Sequence, residues 1–323
     1  MERHVTIIVV TYESARFLPG CFESVTALEG VNAEIVVIDN ASSDESRSIA
    51  AALLPQARLI SNQTNRGFAP AVNQGIAASS SEFVLLLNPD CRLERDYVLH
   101  LVEALHERDS TFGAATGKLL RAKGDSMTAT NVVDSKGIRM TRNGRHLDIG
   151  SGEIDVAGTI TPLEVFGVSG AASLLRRSML EDIAIDGEVL DEDFFTWRED
   201  ADLAWRARLF GWKALYVPAA VGYHVRTVTP EKRRNLAPII NYHSVKNRFL
   251  LRWKNQGRWL ALRHFPFELL RDLFVVAACL TIERTSLPAL SWLWQHRRQI
   301  MRKRKLVQMR RKLSDRELSV WFN

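Results

Sequence analysis

Four short runs of aliphatic, largely β-branched residues alternate near the N-terminus with amphipathic stretches of crossover length, a rhythm few folds accept. The runs are Val5 to Thr11, Glu34 to Asp39, Ala57 to Ser61 and Glu82 to Leu87; Ala15 to Leu28, Asp44 to Leu54 and Phe68 to Ser79 lie between them. Strands this uniformly apolar need cover on both faces, so the βαβαβαβ pattern predicts an α/β fold built on a parallel sheet. Ligands of such sheets bind beyond the carboxyl ends of the strands. Polar residues collect there: Thr11-Tyr12-Glu13, Asp39-Asn40, Asn62 to Gly67, and the Asn88-Pro89-Asp90 turn.

From Leu120 to Thr161 the chain is rich in Gly, Asp, Ser and Thr and reads as a loop or hairpin excursion. Ordered sequence resumes at Glu164, passes through Gly170-Ala171-Ala172 and an acidic segment, and predicts a helix over Ala201 to Phe210 and a strand over Lys213 to Val217. From Leu236 it is helical, aromatic and basic.

With 323 residues the chain can bury a large core. Its three cysteines form no CxxC pair, which fits a reducing compartment without disulfides or structural zinc. The N-terminus lacks the features of a signal peptide and runs directly into strand-like sequence, so the expected location is cytoplasmic. Net charge is +6, but Arg297 to Asn323 holds ten Lys/Arg against two acids, so the basicity belongs to the C-terminal tail. A basic groove for nucleic acid is therefore excluded from the expected partners.

Individual residues suggest chemistry. Asp39 closes an apolar strand, where its carboxylate can accept the imide N–H of uracil or thymine; a helix cap is the plainer role. Asp90, at the end of a buried strand, offers a hard oxygen ligand for Mg or Mn. Six carboxylates crowd Asp191 to Asp202 among Phe194, Phe195 and Trp197, an apolar setting that makes Glu199 or Asp200 suited to general-base work. His224 can complete a metal shell or meet a phosphate, and Arg66 beside Gly67 can grip phosphate oxygens.

Taken in order, Val9 to Tyr12, Ile38 to Asp44, Asn65-Arg66-Gly67-Phe68 with Asn73, Leu87 to Asp90, Gly170-Ala171-Ala172, Glu199 to Leu203, Tyr223-His224 and Lys246-Asn247-Arg248 resemble the family 2 glycosyltransferases, in particular bacterial rhamnosyltransferase-like members. The resemblance covers about Val5 to Asn255 and implies the GT-A nucleotide-diphospho-sugar transferase fold, a mostly parallel mixed sheet flanked by helices, followed by a C-terminal helical, basic extension. The implied division is a catalytic domain over 1–235, with a nucleotide-binding half at about 1–115 and an acceptor half at about 116–235, and the extension over 236–323.

It further implies that Asp200 is the catalytic base and that Thr11, Tyr12, Glu13, Asp39, Asn40, Asn65, Arg66, Gly67, Asn73, Asn88, Gly170 and Ala171 surround the donor. Asp90 and His224 would hold a divalent metal, Mg or Mn; Glu199, Asp202, Trp197 and Arg226 would support the acceptor side. The implied reaction is inverting transfer of a sugar, with rhamnose the first expectation, from a dTDP-, UDP- or GDP-sugar to a glycan or polyprenyl-diphosphate-linked saccharide. The chain departs from the family pattern at Glu13, where Asn is usual, at Asn88, where an acid is usual, and at Val225-Arg226-Thr227, which puts Arg226 in line for phosphate neutralisation.

Leu273 to Ile282 is too short to span a bilayer and, with Phe265, Phe267, Trp292, Trp294 and the run Arg302 to Lys305, suits a helix lying on the anionic inner face of the cell membrane. A hairpin packed on the catalytic domain is the alternative. A dehydrogenase is excluded by the absence of Gly-x-Gly-x-x-Gly after the first strand. The remaining non-enzyme reading is a catalytically degenerate membrane-binding module that retains a nucleotide-sugar site.

Overall fold

The computed structural model describes residues 3–156, 160–226 and 237–323. Its first half follows the predicted rhythm: β1 (His4–Thr11), α1 (Leu18–Thr26), β2 (Asn32–Asp39), α2 (Ser46–Leu53), β3 (Arg58–Ser61), α3 (Phe68–Ala77) and β4 (Phe83–Leu87), with the four strands parallel in the order β4-β1-β2-β3. Alternate side chains of β1 enter separate cores. Ile7 and Val9 pack with α1, while Ile8 and Val10 face α3.

The chain continues through β5 (Cys91–Leu93), α4 (Tyr97–His106), β6 (Phe112–Lys123), β7 (Thr128–Ser135), β8 (Ile138–Met140), β9 (His146–Asp148), β10 (Leu163–Val165), β11 (Ala172–Arg176), α5 (Arg177–Ile183), α6 (Glu199–Leu209) and β12 (Lys213–His224). β11 runs antiparallel between β4 and β6, and β12 lies parallel to β6, so the sheet is mixed beyond β4. The expected excursion at Leu120 begins inside β6, which hairpins into β7; β8 and β9 form a separate ribbon. The start of β6 escapes a strand prediction because it carries Gly and Ala. The reason is close approach: a Cβ on Gly117 would lie 2.3 Å from the Ala220 carbonyl and 2.4 Å from the Tyr97 ring.

Among the described residues five α-helices follow: α7 (Pro238–Asn255), α8 (Arg258–Thr281), α9 (Leu287–Gln295), α10 (Arg297–Arg310) and α11 (Asp315–Leu318). The expected boundary at 235/236 lies outside the described residues. Ile300, Val307, Leu318 and Phe322 share a core with Phe166 and Trp205, and the Phe322 ring lies 5.0 Å from that of Trp205.

The basic tail is therefore corrected. Lys303 is buried, its Nζ 2.8 Å from Glu188 and 2.7 Å from Asp191, and Arg304 and Arg310 donate to the carbonyls of Trp253 and Ala184. Acids in the segment before α6 claim Arg302 and Lys303 while a backbone carbonyl takes Arg304, so the run Arg302 to Lys305 is not displayed as one phosphate-binding strip. Among the described residues no helix is long and apolar enough to cross a membrane.

α8 is inverted relative to an ordinary surface helix. Its inner side carries His264, whose ring packs against Phe322, and Glu268 and Asp272, which pair with Gln256, Arg248 and Arg252, while Leu262, Phe265, Leu269, Leu270, Leu273, Phe274 and Leu280 are exposed. Replacing Lys303 with Ala should leave carboxylates of the buried cluster undercompensated and lower unfolding free energy by about 3 kcal/mol, read by urea denaturation. A neutral outcome would show that the tail is not integral to the fold.

Candidate active site

The carboxyl ends of β1 and β2 coincide because Thr11 pairs with Asp39. Thr11 Oγ1 donates to Asp39 Oδ1 at 3.2 Å and the Ser42 amide to Oδ2 at 3.3 Å, fixing a buried carboxylate at the mouth of the sheet. Tyr12 is half exposed beside it. Glu13 does not point at an open pocket: its Oε1 accepts from the Ser43 amide at 2.7 Å and hydroxyl at 2.9 Å, stapling the turn after β2.

Other expected donor contacts are committed internally. Asn40 joins the Asn65 side chain, the Gly67 carbonyl, the Asn62 side chain and the Arg66 amide, so it shapes the loop after β3. Asn65 also accepts from the Gly67 amide. Gly67, at φ 92°, admits Phe195, whose ring would sit 2.5 Å from any added Cβ. Asn73 binds both backbone groups of Leu190 and the Glu192 carboxylate, anchoring the acidic segment to α3. Arg66 remains exposed on its loop.

β5 pairs with the end of β12, His224 opposite Cys91, and this brings His224 Nε2 to 3.4 Å from Asp90 Oδ1. On the other side of the ring Nδ1 lies 2.7 Å from Asp134 Oδ2. Burial opposes a charged imidazole, but Asp90 and then Asp134 outweigh it and push the His224 pKa up to about 10. Arg226 contacts Asp134 at 2.8 Å and Asp148 at 2.7 Å, so its guanidinium is already neutralised within the chain.

Asp90 and His224 fit a divalent cation by chemistry: a partly exposed carboxylate oxygen faces an imidazole nitrogen whose partner nitrogen is fixed by a carboxylate, and a cation there would take the place of the Nε2 proton that Asp90 otherwise stabilises. Cys91 is close, yet its thiol lies against the Ala171 carbonyl and burial pushes its pKa well up, which makes it a poor ligand for a hard ion. Asn88 supplies no second carboxylate; its backbone N–H donates to the Ala171 carbonyl at 2.8 Å.

Asp200 begins α6 and is half-buried, its Oδ2 accepting from the Gly170 amide at 3.2 Å. Gly170 and Ala171 thereby link Asp200 to the Asn88–Asp90 turn. Burial raises the Asp200 pKa, the Gly170 N–H opposes the rise, and the charge of Asp148 adds to it. Glu199 is fully enclosed by contrast; burial, then Asp200 and Asp202, push it up to about 8. Asp202 is not at the opening: it is buried against Arg206 at 2.8 Å and Asn255 at 2.6 Å. Trp197, at φ 62°, lies in the loop leading to α6.

Residues 6–184, more than half of the chain, match the family model for glycosyl transferase family 2. The chain belongs to glycosyltransferase family 2.

The family 2 chain is 25% identical over 273 residues to a poly-beta-1,6-N-acetyl-D-glucosamine synthase of Staphylococcus epidermidis, a match covering 84% of this chain and 56% of that protein. It thus spans about half the length of this curated relative. In fold it is similar to a mannosyltransferase from Pyrobaculum calidifontis in complex with GDP-Man and Mn2+, with TM-score 0.53 and 19% identity over 96% of this chain and 84% of that one. S. aureus TarS 1-349 in complex with UDP-GlcNAc gives TM-score 0.52 and 15% identity, over 96% and 91% of the two chains. These likenesses establish the GT-A-type α/β fold.

Asp134 carries no prediction from sequence. Its only local signal is an acid in the apolar run Val132-Val133-Asp134, and strand pairing through β6 is what places it behind His224. A testable consequence concerns Glu199 in this family 2 site. Folded, it holds its proton to about pH 8; unfolded, it ionises near 4.5, so it depresses stability increasingly as pH rises between those values. Glu199→Gln should raise the melting temperature at pH 8 relative to the parent and have a smaller effect at pH 5. An equal loss of stability at both pH values would contradict the assignment.

Proposed function

We propose that this chain transfers a sugar, with inversion, from a nucleotide-diphosphate donor to a hydroxyl of a glycan or lipid-linked saccharide in cell-surface polysaccharide synthesis. The observation that carries this reading is Asp200: a half-buried carboxylate of raised pKa, held by the Gly170 amide next to the Asn88–Asp90 turn. Glu199 is too enclosed to reach an acceptor, which favours Asp200 as base.

In the proposed step the acceptor oxygen attacks the anomeric carbon and Asp200 takes its proton, while the bond from the anomeric carbon to the diphosphate breaks and its electron pair leaves with the phosphate oxygen. Asp39 orients the base by accepting an imide N–H, and Gly170 keeps the Asp200 carboxylate turned toward the opening. Asp90 and His224 would hold a divalent ion, which would supply positive charge for the departing diphosphate. Asp134 fixes the ring of His224, and Arg66 sits on the rim within reach of phosphate.

Rhamnose is the sugar we infer from the resemblance; N-acetylglucosamine, named for the curated relative, is what a donor screen must separate from it. Thermal shifts with UDP-, dTDP- and GDP-sugars, with and without Mn2+, identify the donor because binding to the native state raises its stability. Asp200→Asn should reduce turnover by roughly 100- to 10,000-fold and leave the donor-induced shift intact. Parallel loss of both would sink the role of Asp200.

We also infer a peripheral position on the cytoplasmic face of the cell membrane, with the 1–235 portion catalytic and the 236–323 helices docking. The support is the outward apolar face of α8 with exposed Arg258, Arg263, Arg284, Arg297 and Arg298 around it. A Leu269→Glu, Phe274→Glu double variant should lose flotation with vesicles containing anionic phospholipid while keeping its melting temperature. Unchanged flotation would remove α8 as the docking surface.

A further inference from the structure

The loop that delivers Asp200 is held in an unusual conformation. Phe195, Trp197 and Arg198 all adopt positive φ, at 65°, 62° and 71°, although none is glycine. Such a path turns successive carbonyls toward one another, and Phe194, Thr196 and Trp197 point theirs at a single group. That group is the side-chain amide of Asn247 on α7, whose Nδ2 lies 2.9, 2.7 and 2.7 Å from the three oxygens. Asn247 is fully buried, so protein rather than bulk water meets these carbonyls there.

The neighbouring residues on the same face of α7 act on the same loop. The His243 ring stacks on Phe195 at 4.8 Å with the planes 7° apart, Lys246 Nζ reaches the Asp193 carbonyl at 2.5 Å, and Lys254 pairs with Asp193 at 2.6 Å. From the opposite side, the Ala69 amide at the start of α3 binds the Phe195 carbonyl at 3.1 Å. Two residues beyond Arg198 stands Asp200.

We propose that Asn247 is a positioning residue for the base: its amide holds the 194–198 loop in the left-handed conformation that aims Asp200 at the acceptor. It touches neither donor nor acceptor. The inference rests on the assignment of Asp200 as base. When the amide donor is removed, the converging carbonyls repel, the loop relaxes toward ordinary φ, and Asp200 moves with it while the pocket at Asp39 is unaffected.

The test uses the full chain with Asn247→Ala, the isosteric Asn247→Asp, which turns the donor into an acceptor, and His243→Ala, which leaves the amide cluster untouched. Turnover is followed with UDP-GlcNAc, or with the sugar nucleotide that stabilises the protein most in the screen above; binding is followed by the thermal shift with UDP and Mn2+. Both Asn247 variants should lose at least tenfold in kcat, keep KM for the donor and the UDP shift within twofold, and show faster hydrogen exchange in peptides covering 194–202. His243→Ala should show the same pattern more weakly.

If kcat stays within twofold in both Asn247 variants while Asp200→Asn is inactive, the positioning role is overturned and the base assignment survives. If UDP binding falls together with kcat, including through unfolding, Asn247 is merely structural. If Asp200→Asn keeps its turnover, the base assignment fails and this inference goes with it.

Discussion

Asp191 and Asp193 share Lys254 of α7 and Lys303 of α10 in a buried cluster, and most of the active half of the molecule is referred to it. Four charges removed from water are costly, and only mutual contact with near-complete hydrogen bonding offsets the desolvation. The arrangement consequently tolerates little displacement. It ties the acidic segment to the C-terminal helices on one side, while Asn73 ties the same segment to α3 on the other. The loop running on to α6 begins from a fixed point.

That fixed point matters because the next residues are strained. Left-handed φ at a non-glycine residue costs on the order of 1–3 kcal/mol, and three of them precede Asp200. A short loop free at one end would relax. Here it is held by α7, by the Ala69 amide and by the packing of Gly67 on Phe195, where even one methyl would collide. Enclosure also sets the chemistry: the packing that excludes water raises the pKa of both Glu199 and Asp200, and only Asp200 retains access to the opening.

The metal-side chemistry depends on strand pairing. Asp90 follows β4, His224 ends β12 and Asp134 lies on β7, and no local spacing relates them. Pairing of β12 with β5 sets His224 beside the Asp90 turn, and the β6–β7 hairpin sets Asp134 behind the ring. α8 reflects a related global demand: its charges turn inward to satisfy Arg248 and Arg252, which leaves the leucines and phenylalanines outside. Those side chains are unfavourable in water over so long a face.

Much was legible in the residue order. Buried strands read as apolar runs, and the polar residues that follow them must emerge at one edge, so β1, β2, β4, Asp39 and the Asn88–Asp90 turn follow from local pattern, while the edge strand β3, with no fully buried residue, follows from its place in the alternation. Residue type could not reveal whether a side chain's hydrogen bonds are spent. Asn40, Asn65 and Asn73 look like ligand-binding amides and instead knit loops; Arg226 looks like a phosphate cation and is claimed by Asp134 and Asp148; Asp202 looks like an acceptor-side carboxylate and is paired with Arg206. The basic tail shows the same limit, since its charge is evident from composition but the acids that neutralise Lys303 lie far away in the chain. Sequence by itself determined the α/β core and the edge where the polar residues collect, because burial and periodicity are local properties. Only the tertiary structure decided which polar groups at that edge remain available, because hydrogen-bond and charge compensation is settled between residues distant along the chain.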